Sequence, residues 1–307
     1  MPSPIKHSSS TTKSKSSPKK TSPTPLKSRT STITLDNIND DVLQIMLQRI
    51  TIKQLLHIYK TNTSFSEKKL VIEMEVVDLS NLTIGMQTIN FLDKVLDKSK
   101  IRKLILNNTK FVIKMSEQFS GNTKIFENIK ELHIKDTQID AKANYFLKKY
   151  LNIEDIKSLK IRRLVLDNIS FASDEDYEDF NYNIEYYQNL DELIINNFNS
   201  VEGRGYDANG INYFNELIEK IRVLENLKRL RINHTDITAE TDWDENLVFV
   251  DVFLETLGEL VNLQYLKFYK NSISEDKLDE IERGLSDRFT KHKKHKNVWI
   301  IKKGHSV

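Results

Sequence analysis

Ile101-Arg102-Lys103-Leu104-Ile105-Leu106-Asn107-Asn108-Thr109-Lys110-Phe111 carries one apolar spacing: an aliphatic residue, two others, an aliphatic, one other, an aliphatic, and then a turn. The same spacing returns as Ile129-Leu132-Ile134-Thr137-Ile139, Ile161-Leu164-Leu166-Ile169-Phe171 and Leu227-Leu230-Ile232-Thr235-Ile237. Three looser copies read Met74-Val77-Leu79-Leu82-Ile84, Leu190-Leu193-Ile195-Phe198 and Leu263-Leu266-Phe268-Asn271-Ile273. A unit with this pattern cannot bury its apolar side alone and has to stack on neighbours of its own kind.

Between the second apolar positions, Val77, Leu104, Leu132, Leu164, Leu193, Leu230 and Leu266, the steps are 27, 28, 32, 29, 37 and 36 residues. The connecting stretches carry helical periodicity, with Ile89, Leu92, Val95 and Leu96 in one and Ile211, Phe214, Leu217, Ile218 and Ile221 in another. The expected unit is therefore strand, turn, helix. The spacing resembles the leucine-rich repeat, whose units run ~20–29 residues. That resemblance implies an α/β solenoid with a parallel sheet on its concave face. At the ninth position, where the family prefers Asn or Cys, the chain has Thr109, Thr137, Thr235 and Asn271 but Leu82, Ile169 and Phe198 elsewhere, which predicts an uneven arc.

All five prolines fall within the first 25 residues, among Ser, Thr and Lys, and no acidic residue precedes Asp36. Residues 1–31 have too little apolar surface to offset chain entropy and are expected to be a disordered basic tail. The tail holds seven Lys and Arg, so the whole-chain net of +2 divides into +7 there and −5 in the remainder, which has 39 Lys and Arg against 44 Asp and Glu. The run around Ser17-Pro18-Lys19-Lys20 reads as a nuclear import signal, a weak phosphate contact or a solubilising tail.

Residues 32–72 carry signals for short helices, with Asn39 as a cap before Asp40 and Asp41, Thr51 as a second cap, and Ser64-Phe65-Ser66-Glu67 spaced as a capping box. The order Ile38-Asn39-Asp40-Asp41-Val42-Leu43, Ile45, Leu47, Ile50, Lys53, Leu55-Leu56 and Phe65 resembles the F-box, with Asn39 standing where that family usually has Pro. Helices here could equally cap the open end of the repeat core of residues 73–307.

The two resemblances together imply an F-box protein with leucine-rich repeats. Such a chain is the substrate-recognition subunit of a Skp-cullin-F-box type ubiquitin ligase, and its partners would be a Skp-type adaptor with its cullin complex and a protein target. Under that reading Leu35, Ile38, Asn39, Val42, Leu43, Ile45 and Leu55 contact the adaptor. The alternative is a leucine-rich repeat scaffold for protein–protein interaction with no ubiquitin ligase link.

Strand residues between the inward aliphatics point the other way. This places Ile105, His133, Val165, Ile194, Arg231 and Lys267 in one row and Asn107, Lys135, Asp167, Asn196, Asn233 and Tyr269 in the next. The expected target-binding residues are Ile105, His133, Val165, Ile194, Arg231, Tyr265, Lys267 and Tyr269. Aromatic anchors and apolar groups favour a protein partner over nucleic acid.

No enzyme chemistry is expected. The chain has no cysteine, no HExxH and no GxxxxGK[ST] phosphate loop, so no metal, cofactor or catalytic residue is assigned. Asp174-Glu175-Asp176-Tyr177-Glu178-Asp179 reads as a solvated insertion on the convex side, since a calcium loop needs alternating ligands with a central Gly. Lys291-His292-Lys293-Lys294-His295-Lys296 is expected to follow a helix and precede a last edge strand, Val298-Trp299-Ile300-Ile301. No run reaches the ~18 apolar residues of a membrane span. The expectation is an intracellular protein of the cytoplasm, the nucleus or both.

Overall fold

The computed structural model describes residues 38–62, 71–113, 124–153, 159–198, 213–235, 246–271, 273–291 and 298–301. The basic tail, Leu35, the capping box at Ser64 and the loop Gly203-Arg204-Gly205 lie outside them.

Two helices come first, α1 (Asp40–Leu47) and α2 (Ile52–Thr61). The Asn39 side chain accepts the Asp41 N–H at 2.8 Å at the start of α1. Thr51 and Gln54 cap α2 reciprocally, each side chain taking the other's backbone N–H, which satisfies two donors that a helix start leaves open. Leu43 and Leu47 of α1 and Ile52, Leu55 and Leu56 of α2 are buried in the same core as the strands that follow.

Beyond them the main-sheet strands are β1 (Val76–Asp78), β3 (Lys103–Asn107), β5 (Glu131–Lys135), β7 (Arg163–Asp167), β9 (Glu192–Asn196), β10 (Arg229–Asn233) and β11 (Tyr265–Tyr269). These seven are parallel and lie side by side in chain order, with Val77, Leu104, Leu132, Leu164, Leu193, Leu230 and Leu266 directly opposite one another. None of those seven side chains is more than 1% exposed. Period-two alternation explains this, because aliphatics on both sides of one half-exposed residue can only face the core together.

Short strands β2 (Thr83–Ile84), β4 (Lys110–Phe111), β6 (Gln138–Ile139) and β8 (Ser170–Phe171) pair as β2–β4 and β6–β8 in two further sheets. Helices α3 (Met86–Val95), α4 (Ala141–Leu151), α5 (Asp174–Ile184), α6 (Tyr213–Ile221), α7 (Asn246–Glu259) and α8 (Glu275–Leu285) follow β2, β6, β8, β9, β10 and β11. The main sheet ends in an antiparallel pair, β13 (Val298–Ile301) beside β11 and β12 (Phe289–Lys291) outside it.

The strands form three separate sheets, the main one mixed at its end, where one continuous parallel sheet was expected. Strand–helix connection is irregular among the described residues: β4 runs to β5 with no helix, whereas a helix follows β2, β6 and β8. A regular leucine-rich repeat solenoid closed by an F-box-like cap therefore does not describe the architecture, which is an irregular α/β fold of three sheets. The non-polar ninth positions have a physical role in this irregularity. Ile169 and Phe198 are each 2% exposed. The Phe198 ring sits 6.1 Å from Phe171 and 6.0 Å from Phe214, in an aromatic run that bridges consecutive units.

The terminal strand Val298–Ile301 lies inside the sheet, and the edge belongs to Phe289–Lys291. Lys291 is thus a strand residue instead of a helix end; its ammonium pairs with Glu282 and keeps a charge on the outer edge. The acidic stretch at 174–179 opens helix α5 and is no solvated insertion. Ser173 caps it, accepting from the Asp176 N–H; its acids favour the positive helix start, and Tyr177 and Phe180 are 0% and 3% exposed in the core.

Candidate binding face

One face of the main sheet is packed into the core, while the other carries half-exposed side chains among the described residues. Leu104, Leu106, Leu132, Ile134, Leu164 and Leu166 are buried, while Ile105, His133 and Val165 between them stay half-exposed. Since the seven parallel strands follow the chain without reversal, they form no switch-point crevice of the kind that seats nucleotides in doubly wound folds.

The geometry of the half-exposed, open face is held by what ends each strand. Asn81, Asn108, Asp136, Asn168, Asn197, His234 and Lys270 all have φ between 47° and 59°, left-handed backbone that Asn and Asp tolerate best. The N–H of each of the first six donates to the last carbonyl of the next strand, as from Asn81 to Asn107 at 2.8 Å and from Asn197 to Asn233 at 3.0 Å. Side chains continue the ladder, with Asn108 Nδ2 on Asn81 Oδ1 at 2.8 Å and Asn168 Nδ2 on Asp136 Oδ1 at 2.7 Å. Thr137 Oγ1 donates back to the Leu106 carbonyl at 2.8 Å, and Asn271 Nδ2 to that of Ile232 at 3.0 Å.

A second ladder precedes the strands. Asn189, Asn226 and Asn262 donate through Nδ2 to the carbonyls of Leu159, Gln188 and Glu225 at 2.9, 2.9 and 2.8 Å. Where both ladders run, as around β9, β10 and β11, a unit is fixed to its neighbour at both ends, and the strands between form a rigid platform.

Three rows of side chains stand on the platform. The central row is Ile105, His133, Val165, Ile194, Arg231 and Lys267, in register across β3 to β11. Ile194 is the most enclosed of its aliphatics, at 7% exposure. Tyr265 and Tyr269 sit at the first and last positions of β11, flanking Lys267.

The row at the strand starts, Lys103, Glu131, Arg163, Glu192 and Arg229, alternates in charge. Glu131 Oε2 lies 3.3 Å from Lys103 Nζ, 3.4 Å from His133 Nε2 and 3.5 Å from Arg163 Nη1. Glu192, 6% exposed at its side chain, has Arg163 Nε at 3.0 Å, Arg231 Nη2 at 2.8 Å and Arg229 Nε at 3.5 Å. In this setting burial pushes the His133 imidazole below its ordinary range, with Lys103 and Arg163 acting the same way and Glu131 opposing. For Glu131 burial acts against the charged form, yet the hydrogen bond and charge of Lys103, with Arg163 and His133, hold its carboxyl below the usual range.

The far end is cationic and aromatic. The Arg231 guanidinium lies over the Tyr265 ring at 5.5 Å, and the Lys267 and Lys270 ammonium groups lie over Tyr269 at 5.0 and 5.4 Å. The His234 ring meets Tyr269 edge-on at 5.8 Å.

All eight residues expected to bind a target therefore share one face. The charged row beside them was not among the expected site residues, although its alternation Lys103, Glu131, Arg163, Glu192, Arg229 occupies one position of the repeated spacing and was legible there.

The expected adaptor surface is not a single face. Leu43 and Leu55 are 1% and 0% exposed and belong to the core, Ile38 packs partly against it, and Asn39 is an exposed cap; only Val42 and Ile45, at 51% and 58%, point outward. The helices place Leu43 and Leu55 in the chain's own core, and the three-sheet α/β architecture overturns the ligase function built on the F-box resemblance.

Elsewhere, a groove of about 560 Å³ borders edge strand β1 between residues 48–53 and 73–81. No group of three His, Cys, Asp or Glu side chains is arranged to hold a metal ion among the described residues. Among them also, no helix is long and apolar enough to cross a membrane. The sequence matches no protein-family model and no curated protein.

Proposed function

We propose that this chain is a binding module without chemistry of its own, and that it receives a protein partner on the open face of its main sheet. The observation that carries this reading is the asymmetry of the sheet: one side is closed to within 1% of full burial, while the other holds half-exposed aliphatics and two tyrosines on hydrogen-bonded strands. Rigid aromatic and aliphatic groups lose little conformational entropy on binding, so they serve as anchors at low cost.

Dimensions set the kind of partner. Seven strands at ~4.8 Å spacing span ~29 Å, and five residues at ~3.3 Å extend ~16 Å. This footprint is smaller than the ~800 Å² per side of a standard protein–protein interface. It suits an extended segment of about nine residues laid across the strands.

The test is recovery of partners with the tagged full chain from its own cells, compared with Val165→Asp and with a control change on α1, Ile45→Asp. Partners lost with Val165→Asp and kept with Ile45→Asp support the open face. The reverse ranking refutes it.

A further inference from the structure

Resting on that reading of the open face, we infer that the segment it receives is acidic where it meets β10 and β11 and apolar where it crosses β3 to β9. The cations at the far end outnumber their partners. Arg229 and Arg231 share the single carboxylate of Glu192 with Arg163. Arg231 Nε is buried and has no hydrogen-bond partner. Lys267 and Lys270 have aromatic contacts but no carboxylate within ion-pair distance among the described residues. Strand register sets Arg231 directly beside Lys267, ~4.8 Å away across the sheet. A carboxylate placed between them would take a guanidinium and an ammonium at once, with the Tyr265 and Tyr269 rings as walls on either side.

The same surface argues against a continuous polyanion. Moving from β10 toward β1, a chain with a charge on every residue would meet Glu192, Asp167, Glu131 and Asp78, each on the open face. It would also cross Ile194, Val165 and Ile105, which offer an anion nothing. A nucleic acid backbone needs neutralisation along its whole length. A peptide can instead confine its acids to one end and present aliphatic side chains to the central row.

The experiment is selection from a random twelve-residue peptide display library on the immobilised full chain, with a labelled twenty-nucleotide single strand as a separate binding probe. Recovered peptides should be enriched in Asp and Glu clustered at one end with aliphatics at the other. Their affinity should fall at least tenfold with Lys267→Glu/Lys270→Glu, a pair that leaves the Glu192 ion pairs intact and whose folding is checked by circular dichroism. Arg231→Gln, which keeps bulk and removes charge, should weaken the same peptides.

Peptides that depend on Val165 but show no acidic enrichment would overturn the inference and leave the open-face reading standing. Peptides indifferent to Val165 would overturn both. Tighter binding of the nucleotide strand than of any selected peptide, lost with the lysine pair, would replace the acidic peptide with a nucleic acid.

Discussion

Glu192 on β9 and Arg231 on β10 stand 2.8 Å apart, carboxylate to guanidinium, with the carboxylate only 6% exposed and two further arginines within 3.5 Å of it. One buried anion on β9 thus organises three cations from the two strands beside it, β7 and β10. Replacing Glu192 by Gln keeps its shape but leaves Arg163, Arg229 and Arg231 facing one another. Chemical denaturation should show a loss of about 1–3 kcal/mol, the range for leaving a buried polar group without its partner. Because the arginines reach solvent, the loss should shrink in high salt. An unchanged midpoint at low salt would mean that the cluster carries no stability.

His133 makes the fold sensitive to mild acid. Burial, Lys103 and Arg163 lower its folded pKa beneath the unfolded value, so below that unfolded value the unfolded chain binds the extra proton first. Stability should therefore fall as pH drops from 7 through the ordinary histidine range, and level off once the folded form is protonated too. Glu131, also depressed, adds a separate loss at lower pH, in the carboxylate range. His133→Gln should flatten the first phase only, as read by melting temperature against pH.

Left-handed backbone at the strand ends makes a graded prediction. Asn168 at φ 51° donates to Asp136 and anchors the turn after β7. Asn168→Ala should cost about 1–2 kcal/mol, because a Cβ without a local polar group is strained there. Asn168→Gly should cost less, since Gly adopts that conformation freely and loses only the side-chain hydrogen bond. Equal effects of Ala and Gly would remove the backbone explanation.

Opposite outcomes are expected within α1. Leu43 is in the core, and Leu43→Ala should cost about 2–5 kcal/mol as buried methyl groups leave a cavity. Ile45, at 58% exposure, should tolerate Ala within about 0.5 kcal/mol. Comparable losses at both positions would mean that α1 seats differently.

Strand positions were legible because two aliphatics flanking one variable residue admit a single orientation, and the same spacing recurs in seven places. The helices around Leu92 and Leu217 were legible by their period. What the pattern could not convey was how the units join. That the short strand Lys110–Phe111 pairs with Thr83–Ile84, and Gln138–Ile139 with Ser170–Phe171, in sheets of their own depends on local pairing that apolar spacing does not encode. The exposure of a helix face followed from a related gap: Val42, Leu43 and Ile45 are alike in composition, and only burial in the shared core separates Leu43 from the other two. In the site, Ile105, Val165 and Tyr269 followed from alternation alone. The Glu192 cluster did not, because a carboxylate's burial depends on three arginines brought together from β7 and β10.

Cross-linking mass spectrometry with a lysine-reactive reagent on the partner-bound chain tests the central claim most directly, since lysines mark both sides of the fold. Lys103, Lys135 and Lys267 stand on the open face, whereas Lys94, Lys142 and Lys149 lie in helices α3 and α4. The open-face account predicts inter-protein links concentrated at Lys103, Lys135 and Lys267. Links confined to Lys94, Lys142 and Lys149 would contradict it and move the partner to the helical side.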